Sequence, residues 1–220
     1  MRRANFRFYL ITDRTAVHNG SLQQACEAAL SAAPPGMVAL QLRDKDLPAR
    51  ERYRLALEMR VLCSRYGAPM LVNERVDIAL AARADGVHLP ADSIGVAAAR
   101  RLGGPDFLVG LSTHSPGAVA EAAHEGADFA VFGPVFDPIS KAAQGSAWGS
   151  AGLNAACRAA SIPVYGLGGI SPDSARELMR RADPDALPAG MAGIGSILQA
   201  AEPGEAMRLM LQAINLTPIA

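Results

Sequence analysis

The tract Gln41-Leu42-Arg43-Asp44-Lys45 ends an apolar run, MVALQL, and sets an amide and two cations on every second residue. In an extended backbone Gln41, Arg43 and Lys45 point the same way. Two aligned cations suit an anion, because Arg forks onto phosphate or carboxylate and Lys acts as a point charge. The competing reading is a charged loop solvated by water. Further on, GLGGI at Gly166–Ile170 and GMAGIGSI at Gly190–Ile197 each follow an apolar, β-prone run and precede a helix-like segment. Such turns let backbone N–H groups approach oxygens closely, and a following helix N-terminus adds favourable partial charge. Their glycines, Gly168, Gly169, Gly193 and Gly195 among them, are candidate phosphate ligands. The plainer alternative is that they only make tight turns.

Other polar residues close apolar runs. Asn73 ends PMLV, with Glu74 and Asp77 opening the next segment, where Asp77 suits a helix N-terminus. Ser112 and His114 close FLVGL two residues apart, so both can face one way; His is the usual proton shuttle near neutrality. Against that, Ser115 can N-cap a helix and leave His114 in a surface turn. His88 lies inside GVHL and reads as a core or barrel-lining histidine. Lys141 sits in the long irregular stretch 137–149, which reads as an active-site flap able to swing a cation onto a phosphate, or as a solvated loop.

The elements that must position these residues form a repeating pattern. Short apolar runs at 6–11, 37–42, 69–72, 86–89, 107–111, 129–132, 163–167 and 189–194 alternate with amphipathic stretches of helical period. Eight such units predict a single-domain (β/α)8 TIM barrel over residues 1–220, with a doubly wound open sheet as the other possibility. In a barrel the C-terminal strand ends line the site, and phosphate sites favour the loops after the seventh and eighth strands. Composition agrees: 220 residues, half of them hydrophobic but only 5% aromatic, with zero formal net charge. No basic run marks a nucleic-acid surface and no apolar run is long enough to span a bilayer. Cys26, Cys63 and Cys157 are scattered, without zinc spacing, and read as buried small hydrophobes. The expectation is a cytoplasmic enzyme acting on a small phosphorylated molecule, with no nucleic-acid or membrane partner; a homo-oligomer is compatible with it.

In order along the chain, YLITDR, QLRDKDL, NERVDIAL, ADGVHLP, GLSTHS, GADFAVFGPVF with a following SK, and the terminal glycine clusters resemble the thiamin phosphate synthase/TenI superfamily, from about Phe8 to Ile197. The resemblance implies one of two activities. Synthases join a hydroxymethylpyrimidine diphosphate to thiazole phosphate with Mg²⁺, releasing diphosphate. That would assign Gln41, Arg43, Lys45 and Asn73 to the pyrimidine diphosphate, and Ser112 and Lys141 to its diphosphate. Gly168, Gly169 and the loop around Ser196 would hold the thiazole phosphate. TenI-type enzymes are metal-free thiazole tautomerases, whose acid/base histidine lies in a motif like STHS, here His114.

The departures weigh on the choice. Synthases read Asn-Asp where this chain has Asn73-Glu74. They read HLGQ-x-Asp where it has His88-Leu89-Pro90-Ala91-Asp92-Ser93, and their flap threonine is Pro138. A synthase would therefore need Glu74 and a displaced Asp92 as its Mg²⁺ partners, although Mg²⁺ demands near-ideal octahedral oxygen geometry. NERVDIAL and HLP lean towards TenI, QLRDK and Lys141 towards the synthase. The expectation is a thiazole tautomerase without cofactor: His114 shuttles the proton, the glycine turns hold the phosphate, and Arg43 or Lys45 the carboxylate. The alternative is the synthase with Mg²⁺ and both phosphorylated substrates. A third possibility is a non-catalytic barrel that binds thiamin-related phosphates and regulates.

Overall fold

Continuous apolar runs become strands buried on both faces, and the amphipathic stretches between them become helices. In the computed structural model, which describes residues 4–137 and 147–215, the strands are β1 (Phe8–Ile11), β2 (Val38–Leu42), β3 (Met70–Asn73), β4 (Gly86–Leu89), β5 (Leu108–Thr113), β6 (Phe129–Phe132), β7 (Val164–Leu167) and β8 (Gly190–Gly193). The main helices are α1 (Leu22–Ser31), α2 (Ala49–Arg65), α3 (Val76–Ala81), α4 (Val96–Gly103), α5 (Pro116–His124), α6 (Gly149–Ala159) and α7 (Pro172–Arg180); a single turn, α8 (Gly195–Leu198), and the C-terminal α9 (Pro203–Ile214) follow. All strands are parallel and pair in chain order. β1 also pairs with β8, with Tyr9 opposite both Ala39 and Ala192. The sheet therefore closes, which excludes the open doubly wound sheet. No helix among the described residues is long and apolar enough to cross a membrane.

Helix starts follow from local chemistry. Ser171 accepts from the Ser174 N–H in a capping box, and Pro172 occupies the first turn of α7. Ser115 caps α5 through the Ala118 N–H, again with proline in the first turn. The alternation of each strand splits the core in two. Phe8, Leu10, Leu40 and Met70 face the helices. Tyr9, Ile11, Phe129 and Tyr165 face the barrel axis with Phe6. Four aromatics thus fill the inside of the barrel. Phe6 stacks on Tyr165 at 4.5 Å between centroids, Phe129 meets both edge-on, and the Tyr165 hydroxyl donates to the Phe6 carbonyl at 2.9 Å. The three free cysteines are buried, as expected of small hydrophobes.

Polar ties lock the end where the strands begin. Just before β6, Asp128 Oδ2 accepts from the Val109 N–H at 2.7 Å and from Arg100 of α4 at 2.8 Å. Asp85, just before β4, does the same for the Met70 N–H and Arg60 of α2. Removing the nearly buried Asp128 carboxylate leaves a backbone donor and a guanidinium without their acceptor. Asp128→Ala is expected to lower the unfolding free energy by about 2–3 kcal/mol, measured by urea denaturation.

Candidate active site

Closure brings all eight strand ends to one rim, and a cavity of about 570 Å³ opens there. Ile11, Gln41, Asn73, His88, Ser112, Val131 and Leu167 line it from β1 to β7, and Ile194 completes the ring just after β8. Beyond the strand ends it gains Arg43, Lys45, Pro90, Ala91, Asp92 and His114. Gln41, Arg43 and Lys45 all reach the cavity, as their alternation requires.

The polar groups here lack partners that the rest of the molecule supplies. Gln41 Nε2 and Asn73 Nδ2 are buried and make no hydrogen bond. Gln41 lies against the buried Tyr9 hydroxyl, close enough to interact but short of good hydrogen-bond geometry. Among the described residues neither Arg43 nor Lys45 enters an ion pair. Buried donors in folded proteins are nearly always satisfied, so unpaired ones gathered at a cavity mark where a ligand binds. Two cations and two amides set the ligand's character as anionic with hydrogen-bond acceptors.

His88 is more than core filling. Its Nε2 pairs with the Ser112 hydroxyl at 2.9 Å, while Nδ1 has no partner. Its ring lies 5.6 Å from Tyr9 and 5.9 Å from Phe129, joining the aromatic interior to the cavity. Gly110 stands opposite it in register, where a Cβ would come within 2.8 Å of Nδ1. Burial first, and then the charges of Arg43 and Lys45, push its pKa down to about 3. His88 is therefore neutral near pH 7. His114 Nδ1 lies 2.9 Å from the Gly133 carbonyl, which can only accept, so Nδ1 carries a hydrogen there.

The glycine turns border the cavity without lining it. Gly168 and Gly169 adopt φ of 106° and 59°. A Cβ at Gly169 would lie 2.7 Å from Phe136 Cβ, so the turn admits only glycine there. Their neighbours Leu167 and Ile194 line the cavity, whereas Gly168, Gly169, Gly193, Gly195 and Ser196 do not. The Ser196 hydroxyl is buried beside Gly193 without a partner. Asp92 lines the cavity; Glu74, exposed and held at φ 64° with its N–H donating to the His88 carbonyl at 2.8 Å, does not. Lys141, Pro138 and most of the expected flap lie outside the described residues.

Sequence reasoning missed a buried pair beneath the cations. The Thr12 hydroxyl donates to Asp44 Oδ2 at 2.6 Å. The alternation that sends Arg43 and Lys45 into the cavity sends Asp44 the other way, and that signal was present in the sequence.

Fold and site define a (β/α)8 barrel with a cation-bearing cavity at the C-terminal ends of its strands, the position of the active site in this architecture. Its family follows from comparison with known proteins. The family model described as thiamine monophosphate synthase matches residues 8–197, and the chain belongs to that family, TMP-TENI. A protein of Geobacter sulfurreducens is 44% identical over 214 residues, covering 96% of this chain and 95% of that one. The thiamine-phosphate synthase of Caldanaerobacter subterraneus subsp. tengcongensis is 37% identical over 195 residues, 88% of each chain. The solved structure of thiamine phosphate pyrophosphorylase from Pyrococcus furiosus superposes with a TM-score of 0.82 at 30% identity, covering 96% of both chains.

These relatives overturn the expected tautomerase: the names they carry are those of the synthase. The proton-shuttle role read for His114 is tied to that activity; His114 itself lines the cavity. The misleading signals are Glu74 and the displaced Asp92, which depart from the synthase pattern. One of the two, Asp92, still faces the cavity.

The depressed pKa of His88 has a measurable consequence. Well above pH 6.5 the ring is neutral in both folded and unfolded chains. As pH falls from there towards 3, only the unfolded chain takes up the proton, so stability declines by up to about 1.4 kcal/mol per pH unit. His88→Asn removes this contribution. Urea unfolding between pH 7 and 4 should show its acid loss shallower than the wild type's by about one proton.

Proposed function

We propose that the protein is a thiamin phosphate synthase, joining hydroxymethylpyrimidine diphosphate to thiazole phosphate. The carbon–oxygen bond to the diphosphate breaks and its electron pair leaves with that group. The exocyclic carbon then bonds to the thiazole nitrogen. The observation that carries this reading is the pair of unpaired cations, Arg43 and Lys45, beside the orphaned amides of Gln41 and Asn73 in one cavity of a chain whose relatives are synthases. Arg43 and Lys45 neutralise the diphosphate as it departs, so charge is stabilised where it develops. Gln41 and Asn73 give their free N–H groups to the pyrimidine diphosphate. Ser112, oriented by neutral His88, and Lys141 contact the diphosphate. The backbone of Gly168, Gly169, Gly193 and Gly195, with the Ser196 hydroxyl, holds the thiazole phosphate. The apolar walls from Ile11, Val131, Leu167 and Ile194 exclude water, which would otherwise capture the electrophilic carbon.

The oxygen donors present fit Mg²⁺. Among the described residues no group of three or more His, Cys, Asp or Glu could hold a metal. Mg²⁺ commonly takes only one or two carboxylates and completes its shell with substrate phosphates and water. Asp92, in the same cavity as the two cations, supplies such a carboxylate. When bound, the ion adds positive charge against the leaving diphosphate.

Purified protein mixed with both phosphorylated halves and Mg²⁺ should form thiamin phosphate, and a chelator should abolish it. No product at high enzyme concentration would refute the assignment. Arg43→Ala is expected to lower kcat/KM by about 10- to 100-fold, the magnitude of one lost charge-assisted contact.

A further inference from the structure

We propose that Thr12, Asp44 and Arg52 form a positioning frame that presets the cations Arg43 and Lys45 for a diphosphate. The inference rests on the synthase reading but concerns residues outside its binding set. Thr12 Oγ1 accepts from the Arg43 N–H at 2.9 Å while donating to Asp44 Oδ2 at 2.6 Å. Asp44 Oδ1 accepts from the Arg14 N–H at 2.8 Å, and the Thr12 N–H donates to the Gln41 carbonyl at 2.9 Å. One hydroxyl and one carboxylate therefore join the segment after β1 to the segment after β2. From the other side, Arg52 of α2 reaches the carbonyls of Lys45 and Leu47, the latter at 3.0 Å. Both cation-bearing residues are thus held through their main chain, at Arg43 by its N–H and at Lys45 by its carbonyl.

Burial shows that this is a built feature. Thr12 is 0% exposed and Asp44 3%, and Asp44 is the one carboxylate in the buried class among the described residues. It forms no ion pair; its bonds come from neutral donors. A carboxylate so placed is costly unless fully hydrogen-bonded. Here it fixes the direction of the Thr12 hydroxyl, so that Thr12 presents a lone pair to the Arg43 amide. Neither residue lines the cavity, so neither is a ligand. A cation on an unfixed loop must be ordered when the anion arrives, and that cost weakens binding.

The frame is tested in the full-length protein with two readouts, KM for each substrate and calorimetric binding of inorganic diphosphate in Mg²⁺. Thr12→Val keeps the shape and deletes the hydroxyl; Thr12→Ser restores it; Asp44→Ala removes the carboxylate. Thr12→Val and Asp44→Ala should raise KM for the pyrimidine diphosphate and Kd for inorganic diphosphate at least 10-fold. KM for thiazole phosphate should stay within about twofold of wild type, and Thr12→Ser should bind diphosphate within about threefold. A purely structural role would instead reduce the active fraction and leave both KM values alone. Unchanged diphosphate affinity in Thr12→Val, or equal loss for both substrates, overturns the proposal. Wild-type protein that binds diphosphate through this frame yet forms no thiamin phosphate refutes the synthase reading and leaves the frame standing.

Discussion

Closing eight parallel strands on themselves is the constraint from which the rest follows. Closure sends every strand end to one rim, and the two-residue period of a strand decides which side chains turn inward there. Lower in the barrel the inward positions hold Phe6, Tyr9, Phe129 and Tyr165, which fill the interior. At the ends of β2 to β5 the inward positions are Gln41, Asn73, His88 and Ser112. Aromatic filling from β1, β6 and β7 meets polar side chains at the ends of β2 to β5, and there the packed core opens into a cavity.

The distribution of unpaired groups follows the same geometry. At the opposite rim Asp85 and Asp128 absorb an arginine and a backbone donor each, so that end is electrostatically closed. At the cavity rim the cations face inward and the buried carboxylate nearest them in sequence, Asp44, faces away and engages neutral donors. Had Asp44 pointed inward it would have paired with Arg43 or Lys45 and reduced their pull on an anion. Alternation separates the charges, and the hydrogen bonds to Thr12 and Arg14 keep Asp44 from crossing back. The cavity therefore keeps its positive character without neutralising itself. The same cations help hold His88 neutral, as a polar group that adds no further charge.

Much of this was legible from residue order because it depends on periodicity. The eight runs read as strands lie within one or two residues of β1–β8, and QLRDK states its own facing. Gly168 and Gly169 read as a special turn, and their positive φ gives the reason. What periodicity does not reach is less legible. The Thr12–Asp44 bond joins segments 32 residues apart, and only the closeness of β1 and β2 creates it. His88 was placed on the barrel wall, but its pairing with Ser112 requires the β4–β5 register. The turns of Gly168 and Gly195 read as phosphate ligands from their composition, but that the side chains lining the cavity beside them are Leu167 and Ile194 follows only from the closed sheet.

The misreading of the activity has a related cause. Counting along HLPADS, the family's carboxylate position falls on Ser93, which suggested that a metal ligand had been lost. Yet β4 ends at Leu89, and the residues after it form a turn in which the Ser93 N–H donates to the Pro90 carbonyl at 3.2 Å. Inside a strand, a shift of one residue reverses a side chain's face. In a turn no such rule applies, because successive side chains are not bound to opposite faces. Asp92 can therefore reach the cavity although it stands one place early, and it does. Glu74 departs differently. It follows directly on the last residue of β3, in a left-handed backbone conformation, and its side chain leaves the site. A motif mismatch carries weight inside a strand, where register is enforced, and much less just beyond its end.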